Sequence, residues 1–150
     1  MTYILGAMCP DGVVLVGDLM ERHPDYSVTY HPKIQRVSSG AALWGHAGYD
    51  FCINTYNTEV VNAISTRPVT VETLPSVLNE IYLRLLGLDR NRFEQGMEVL
   101  VARNWRESAQ LFCIDGVQGF RPIDTHYGIG SGREHISIQV REKIKPSSTM

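Results

Sequence analysis

The second residue of the chain is a threonine, and the place is one from which a threonine can do covalent chemistry. A threonine hydroxyl is a weak nucleophile until a neighbouring base takes its proton. An N-terminal threonine carries its own base, the free α-amine, whose pKa is roughly 8 in peptides. Thr2 acquires that amine only when Met1 is removed; otherwise residue 2 has an amide nitrogen and no base. Thr2 is small, so methionine aminopeptidase is expected to take Met1 without any propeptide. Further on stand Asp18, Lys33, the run Gly45-His46-Ala47-Gly48 and the run Gly128-Ile129-Gly130-Ser131-Gly132. Singly, each has a plainer reading. Thr2 is an ordinary second residue, Asp18 ends a strand, Lys33 after Pro32 is a solvated loop residue, and Gly45 and Gly48 serve turns. The later glycine run lacks the G-x-G-x-x-G spacing and follows no clear βαβ unit, so it is not read as a nucleotide site. His23, His31, His46, His126 and His135 show no H-E-x-x-H or regular ligand spacing, and neither a metal nor a cofactor is expected. His46 is read as a loop histidine that could modulate a site at Gly45.

These residues need elements to position them. Tyr3 to Met8 and Val13 to Gly17 are short apolar, β-branched runs separated by the turn residues Pro10-Asp11-Gly12, which predicts an N-terminal hairpin. A polar, proline-punctuated stretch follows. A second strand pair is predicted from Lys33 to Ser38 and Ala41 to Gly45, turned by Ser38-Ser39-Gly40. Cys52, Tyr56, Val60 and Ile64 then recur every four residues, the spacing of one helical face, until Arg67-Pro68. Thr73, with Pro75 two residues on, suits a second helix start, and Val77, Leu78, Ile81, Tyr82 and Leu85 form its apolar stripe. Strands resume over Met97 to Ala102 and Ala109 to Ile114, with a turn at Asp115-Gly116. After Gly132 the pattern is ambiguous: Ile136, Ile138 and Val140 alternate as in a strand, while Ile136, Val140 and Ile144 share a helical face. Strands, a helix pair and more strands, without repeat or linker, predict one α+β layered domain over residues 1–150.

The bulk properties narrow the function classes. A 150-residue chain with 43% hydrophobic and 20% charged residues can bury a single core. The 14 Lys+Arg against 16 Asp+Glu contain no run of like charges suited to a phosphate backbone or an anionic membrane, so neither is expected as a partner. No apolar run reaches membrane-spanning length and no signal peptide is evident, which predicts a cytoplasmic protein. Cys9, Cys52 and Cys113 are odd in number and far apart, fitting a reducing compartment and buried thiols rather than disulfides or zinc.

The order Thr2, Gly6, Asp11-Gly12-Val13-Val14-Leu15-Val16-Gly17-Asp18, Lys33-Ile34, Gly45-His46-Ala47-Gly48 and Gly130-Ser131-Gly132 resembles the proteasome β-subunit family and its bacterial heat-shock relative, the N-terminal-nucleophile (Ntn) hydrolases. The resemblance spans most of the chain. It implies a four-layer αββα sandwich whose last strands and final helix would lie beyond residue 150, with a helical segment after Gly132. It implies Thr2 as nucleophile, Asp18 and Lys33 as the charged pair beside it, Gly45 as the oxyanion glycine and Ser131 as support for the terminal amine. A cation at Lys33 would favour the deprotonated hydroxyl and neutral amine, and Asp18 would offset its desolvation. Met20 stands near a substrate-contacting position where the family often has an arginine or a small polar residue. Leu43 and Ala47 would flank an apolar pocket for the residue before the scissile bond.

The function implied is a threonine peptidase that acts through an acyl-enzyme on peptides or unfolded proteins. It would sit in a self-compartmentalising homo-oligomeric ring, served by an ATP-dependent unfoldase. Two alternatives carry other expectations: a non-catalytic scaffold subunit in a ring wall, or an Ntn amidase or acyl transferase with the same nucleophile.

Overall fold

The computed structural model describes residues 3–22, 25–30, 33–37 and 41–130; the expected segment after Gly132 lies outside the described residues. The chain begins with the predicted hairpin, β1 (Tyr3–Cys9) and β2 (Gly12–Gly17), in a register that pairs Ile4 with Gly17 and Cys9 with Gly12. Two strands that the sequence did not announce, β3 (Met20–Arg22) and β4 (Val28–Tyr30), make a hairpin of their own within the polar stretch. Segments of three residues are too short for alternation to show. Next come β5 (Ile34–Arg36) and β6 (Ala42–Gly48), then the helices α1 (Asp50–Thr66), α2 (Leu74–Leu88) and the single turn α3 (Arg90–Phe93). The chain continues through β7 (Met97–Trp105), β8 (Ser108–Asp115), β9 (Gly119–Pro122) and β10 (His126–Gly130).

Pairing is antiparallel throughout the described strands. It yields a three-stranded sheet in the order β10-β1-β2 and a five-stranded sheet in the order β5-β6-β7-β8-β9, besides the β3-β4 hairpin. The near-continuous apolar run of β7 reflects burial on both faces. Val99 and Val101 join Trp44 and Ile114 against Tyr56 and Val60 of α1 and Leu78, Ile81 and Tyr82 of α2. Leu100 and Ala102, pointing the other way, join Ala47, Leu111 and Cys113 against Ile4 and Ile129 of the smaller sheet. The Tyr56 hydroxyl donates to the Leu78 carbonyl at 2.9 Å and ties α1 to α2.

Two helix details differ from the sequence reading. Ile64 was expected on the buried face of α1, yet it is 46% exposed, while Ala63 packs against the core. A four-residue repeat drifts about 40° per step around a helix with roughly 100° between residues, so residue 63, not 64, comes back in line with Cys52. Thr73 does precede α2, but it is itself helical and makes no side-chain cap bond. The cap lies three residues earlier: the Thr70 hydroxyl accepts from the Thr73 N–H at 3.3 Å, and the Thr70 carbonyl accepts from Leu74 N–H at 2.9 Å.

Candidate active site

The β1–β2 register continues one pair beyond the hairpin's ladder and sets the first piece of the site. The Asp18 N–H donates to the Tyr3 carbonyl at 3.3 Å, and the Tyr3 N–H donates to Asp18 Oδ1 at 3.2 Å. The same Oδ1 accepts from Lys33 Nζ at 2.9 Å, in a pair whose side chains are only 8% exposed for Lys33 and 14% for Asp18. A lysine is rarely so enclosed without a paired anion. The predicted strand began at Lys33, with a solvated loop as the plainer alternative; β5 starts one residue later, at Ile34, and packing of Ile34 against Gly17 and Ile4 brings Lys33 to Asp18.

Gly45 lies in the middle of β6 rather than in a turn, opposite Ile34 on one side and Leu100 on the other. A Cβ at Gly45 would stand 2.7 Å from Ile4 Cδ1 and 3.2 Å from the Lys33 carbonyl oxygen, so the absence of a side chain is what lets the sheets close here. Peptide groups alternate between neighbours along an antiparallel strand. The Ala41 carbonyl and the Tyr49 N–H bond to Asn104 and Gly96 on the β7 side, and the Ala42 carbonyl accepts from Val37 on the β5 side. With an unbroken register, Gly45 falls in the set facing β7, and His46 in the set facing the side where Lys33 enters. The backbone N–H directed toward the ion pair's side is therefore that of His46, and Gly45 supplies clearance.

Leu43 and Ala47 share the Gly45 face of β6; Leu43 is half-buried and Ala47, 1% exposed, is packed between the sheets. Met20 opens β3 opposite Tyr30. Thr2 and Ser131 lie outside the described residues, but each has a described neighbour in the site: Tyr3 pairs with Gly130 across β1 and β10. Asp18, Lys33 and Gly45 are thus brought together.

The ring of His46 points away from this cluster, toward Trp44 and Tyr56, with centroids 5.4 Å and 6.3 Å away. Neither ring nitrogen makes a hydrogen bond of good geometry. Burial lowers its pKa from 6.5, and weak polar contacts to its own backbone and to Asn57 offset this only in part. The residue that sequence reasoning missed is Glu98, whose Oε2 accepts from Gly130 N–H at 3.2 Å. Its signal was present: a carboxylate inside the otherwise apolar run from Met97 to Ala102. A cavity of about 450 Å³ opens beside it, lined also by Glu94, Met97, Asp115, Gln118 and Tyr127. Burial works to raise the Asp115 carboxyl, but the N–H groups of Gln118 and Val117 and the Arg121 guanidinium at 2.8 Å outweigh it and hold the group below its ordinary value. Among the described residues there is no cluster suited to a metal ion and no helix long and apolar enough to cross a membrane.

No protein-family model matches the sequence, and no curated protein does. Solved structures do. Anbu (ancestral beta-subunit) from Yersinia bercovieri superposes with a TM-score of 0.78 at 10% identity, over 98% of this chain and 68% of that one. The Gly-1 mutant of Anbu from Hyphomicrobium sp. strain MC1 gives 0.79 at 12% identity, over 99% and 68%. Eukaryotic HslV from Trypanosoma brucei gives 0.68 at 21% identity, over 99% and 82%.

The fold is of the proteasome type. At these identities the likeness concerns the fold, a mixed α/β arrangement of antiparallel sheets and helices. The roles of individual side chains rest on their own chemistry.

Proposed function

We propose that this chain is a threonine-type peptidase of the proteasome superfamily: a single Ntn domain over residues 1–150, layered αββα, whose nucleophile is Thr2 after removal of Met1. The observation that carries the reading is the enclosed Lys33–Asp18 pair, whose carboxylate also holds the N–H of Tyr3, the residue covalently next to Thr2. A buried ion pair contributes little net stability and is costly to desolvate, so its place beside the chain's N-terminus favours a chemical role.

In this reading the Thr2 hydroxyl loses its proton to the α-amine and attacks a peptide carbonyl, with the Lys33 ammonium stabilising the developing charge. The tetrahedral oxyanion is received by the N–H at the Gly45–His46 peptide, and Gly45 leaves the approach open. One such donor contributes about 3 kcal/mol to transition-state stabilisation. Collapse of this intermediate expels the leaving amine, which takes the proton back, and leaves an acyl-enzyme on Thr2; water, deprotonated by the amine, then releases the acid. Ser131 supports the amine from the end of β10. Leu43 is the accessible wall of the pocket for the residue before the scissile bond, Ala47 its buried backing, and Met20 a contact from β3. Peptides or unfolded proteins are the substrates, in a cytoplasmic homo-oligomeric ring with an ATP-dependent unfoldase as partner.

Intact mass tests the first requirement, since a retained Met1 removes the base and sinks the reading. With Met1 absent, hydrolysis of fluorogenic peptides by wild type should be abolished in Thr2→Ala; equal rates would point instead to a scaffold subunit. Size-exclusion chromatography with light scattering tests the ring.

A further inference from the structure

We propose that the ring of His46 is a pH-sensitive latch between β6 and α1: protonated, it no longer fits between Trp44 and Tyr56, and α1 loosens from the five-stranded sheet while the rest of the core stays packed. The latch does not depend on the peptidase reading.

His46 lies opposite Val99 on the helix-facing side of the five-stranded sheet and is 9% exposed. Its ring belongs to an aromatic triangle, with centroids 5.4 Å from Trp44 and 6.3 Å from Tyr56, which are themselves 6.2 Å apart. Both ring nitrogens are buried without a hydrogen bond of good geometry. A neutral imidazole tolerates that place at a cost; an imidazolium, with two N–H donors and a charge to desolvate, does not. The titratable groups around it are engaged or face elsewhere. On α1 the Tyr56 hydroxyl donates to the Leu78 carbonyl and Cys52 Sγ to the Arg92 carbonyl, while Asp50 is exposed and Glu59 pairs with Arg84. On α2 the Tyr82 hydroxyl donates to the Phe93 carbonyl. Glu98 of β7 lies on the opposite face, bonded to Gly130, and the Lys33 ammonium ahead of β5 is with Asp18. β1 and β10 meet the other face of β6, at Ala47. Among the described residues, no carboxylate is placed to pair with the charged ring.

α1 is the element that yields. Its sequence is a poor helix former, with Ile53-Asn54-Thr55 and Asn57-Thr58 in its first half. The hydroxyls of Thr55, Thr58, Ser65 and Thr66 donate back to carbonyls four residues earlier, at 2.8 to 2.9 Å, a contact that weakens and bends helices. Its N-cap residue, Tyr49, makes no side-chain cap bond. Packing rather than propensity holds α1, through Cys52, Tyr56 and Val60, and the middle of these three rests on His46. α2 is richer in strong helix formers, Leu78, Glu80, Leu83, Arg84 and Leu85 among them.

Acid favours the open form, because that form takes a proton near pH 6.5 that burial denies the closed one. The opening equilibrium rises as pH falls below 6.5, by up to about thirtyfold at pH 5. The N–H of His46 faces the side where Lys33 enters, so the loosening reaches the candidate site through the same residue.

Amide hydrogen exchange read by NMR, corrected for the intrinsic effect of pH, tests the latch. Between about pH 7 and pH 5, amides from Cys52 to Val60 are expected to lose protection about five- to thirtyfold, and those of α2 and β7 less than about twofold. His46→Phe, which suits the aromatic triangle, and His46→Gln, which guards against a misfit of the larger ring, do not titrate and should abolish the response. In a Trp105→Phe background, Trp44 emission should change reversibly with a midpoint below pH 6.5. No α1 response in wild type, or one equal in wild type and both variants, overturns the latch. So does a simultaneous loss of protection in α1, α2 and β7, which would make His46 a determinant of global stability alone.

Discussion

Asp18 and Tyr3 are bonded to each other twice, backbone to backbone at 3.3 Å and carboxylate to N–H at 3.2 Å. The first bond belongs to the hairpin register, and the second turns the Asp18 side chain back over the start of the chain. One oxygen thereby serves Tyr3 and Lys33 together, and the beginning of β1 is tied to the beginning of β5.

Lys33→Ala should be strongly destabilising, because it leaves the Asp18 carboxylate enclosed without its cation. A loss of about 3–5 kcal/mol is expected in urea unfolding. The double variant Lys33→Met with Asp18→Asn should recover most of that stability, since a neutral amide can still accept from Tyr3, and should recover none of the activity.

Gly45→Ala places a methyl group 2.7 Å from Ile4 Cδ1 and 3.2 Å from the Lys33 carbonyl. Overpacking of this kind costs about 1–3 kcal/mol. Ile4→Val removes the obstructing Cδ1 atom, so a double-mutant cycle should show the two changes partly compensating, with the midpoint of the double variant above the additive value.

His46 makes stability depend on pH on the acid side. Burial lowers its folded-state pKa below 6.5, so as pH falls through 6.5 toward that lowered value the unfolded chain takes up the proton first. Stability is complete above 6.5 and lost below it, with a slope of up to about 1.4 kcal/mol per pH unit from this group. His46→Phe, which suits the company of Trp44 and Tyr56, should flatten that limb when urea midpoints are compared between pH 7 and 5.

The three thiols should separate by reactivity. Burial pushes Cys113 up to about 12 and raises Cys52 as well, while Cys9 is half-buried at the turn end of β1. The thiolate is the reactive form, so titration with a disulfide reagent at pH 8 should consume Cys9 first, and Cys52 and Cys113 only on unfolding.

Local chemistry was legible in the residue order: the Pro10-Asp11-Gly12 turn, the strand from Met97 and the Tyr56 and Tyr82 faces of two helices all follow from period and composition. The choice of Asp18, Lys33 and Gly45 came instead from the resemblance of their order and spacing to a known family pattern. What residue order could not settle is which way each group points. Taken alone, Lys33 read equally as solvated or as paired, and only the packing of Ile34 on Gly17 enclosed it against Asp18. His46, adjacent to Gly45 in sequence, turns its ring to the opposite face because strand side chains alternate, while its N–H faces the side where Lys33 enters because peptide groups alternate too. Glu98 gained its place only when two sheets distant in sequence stacked. Periodicity is a property of the chain alone; register and the meeting of sheets depend on contacts between distant segments, and those decided the geometry of this site.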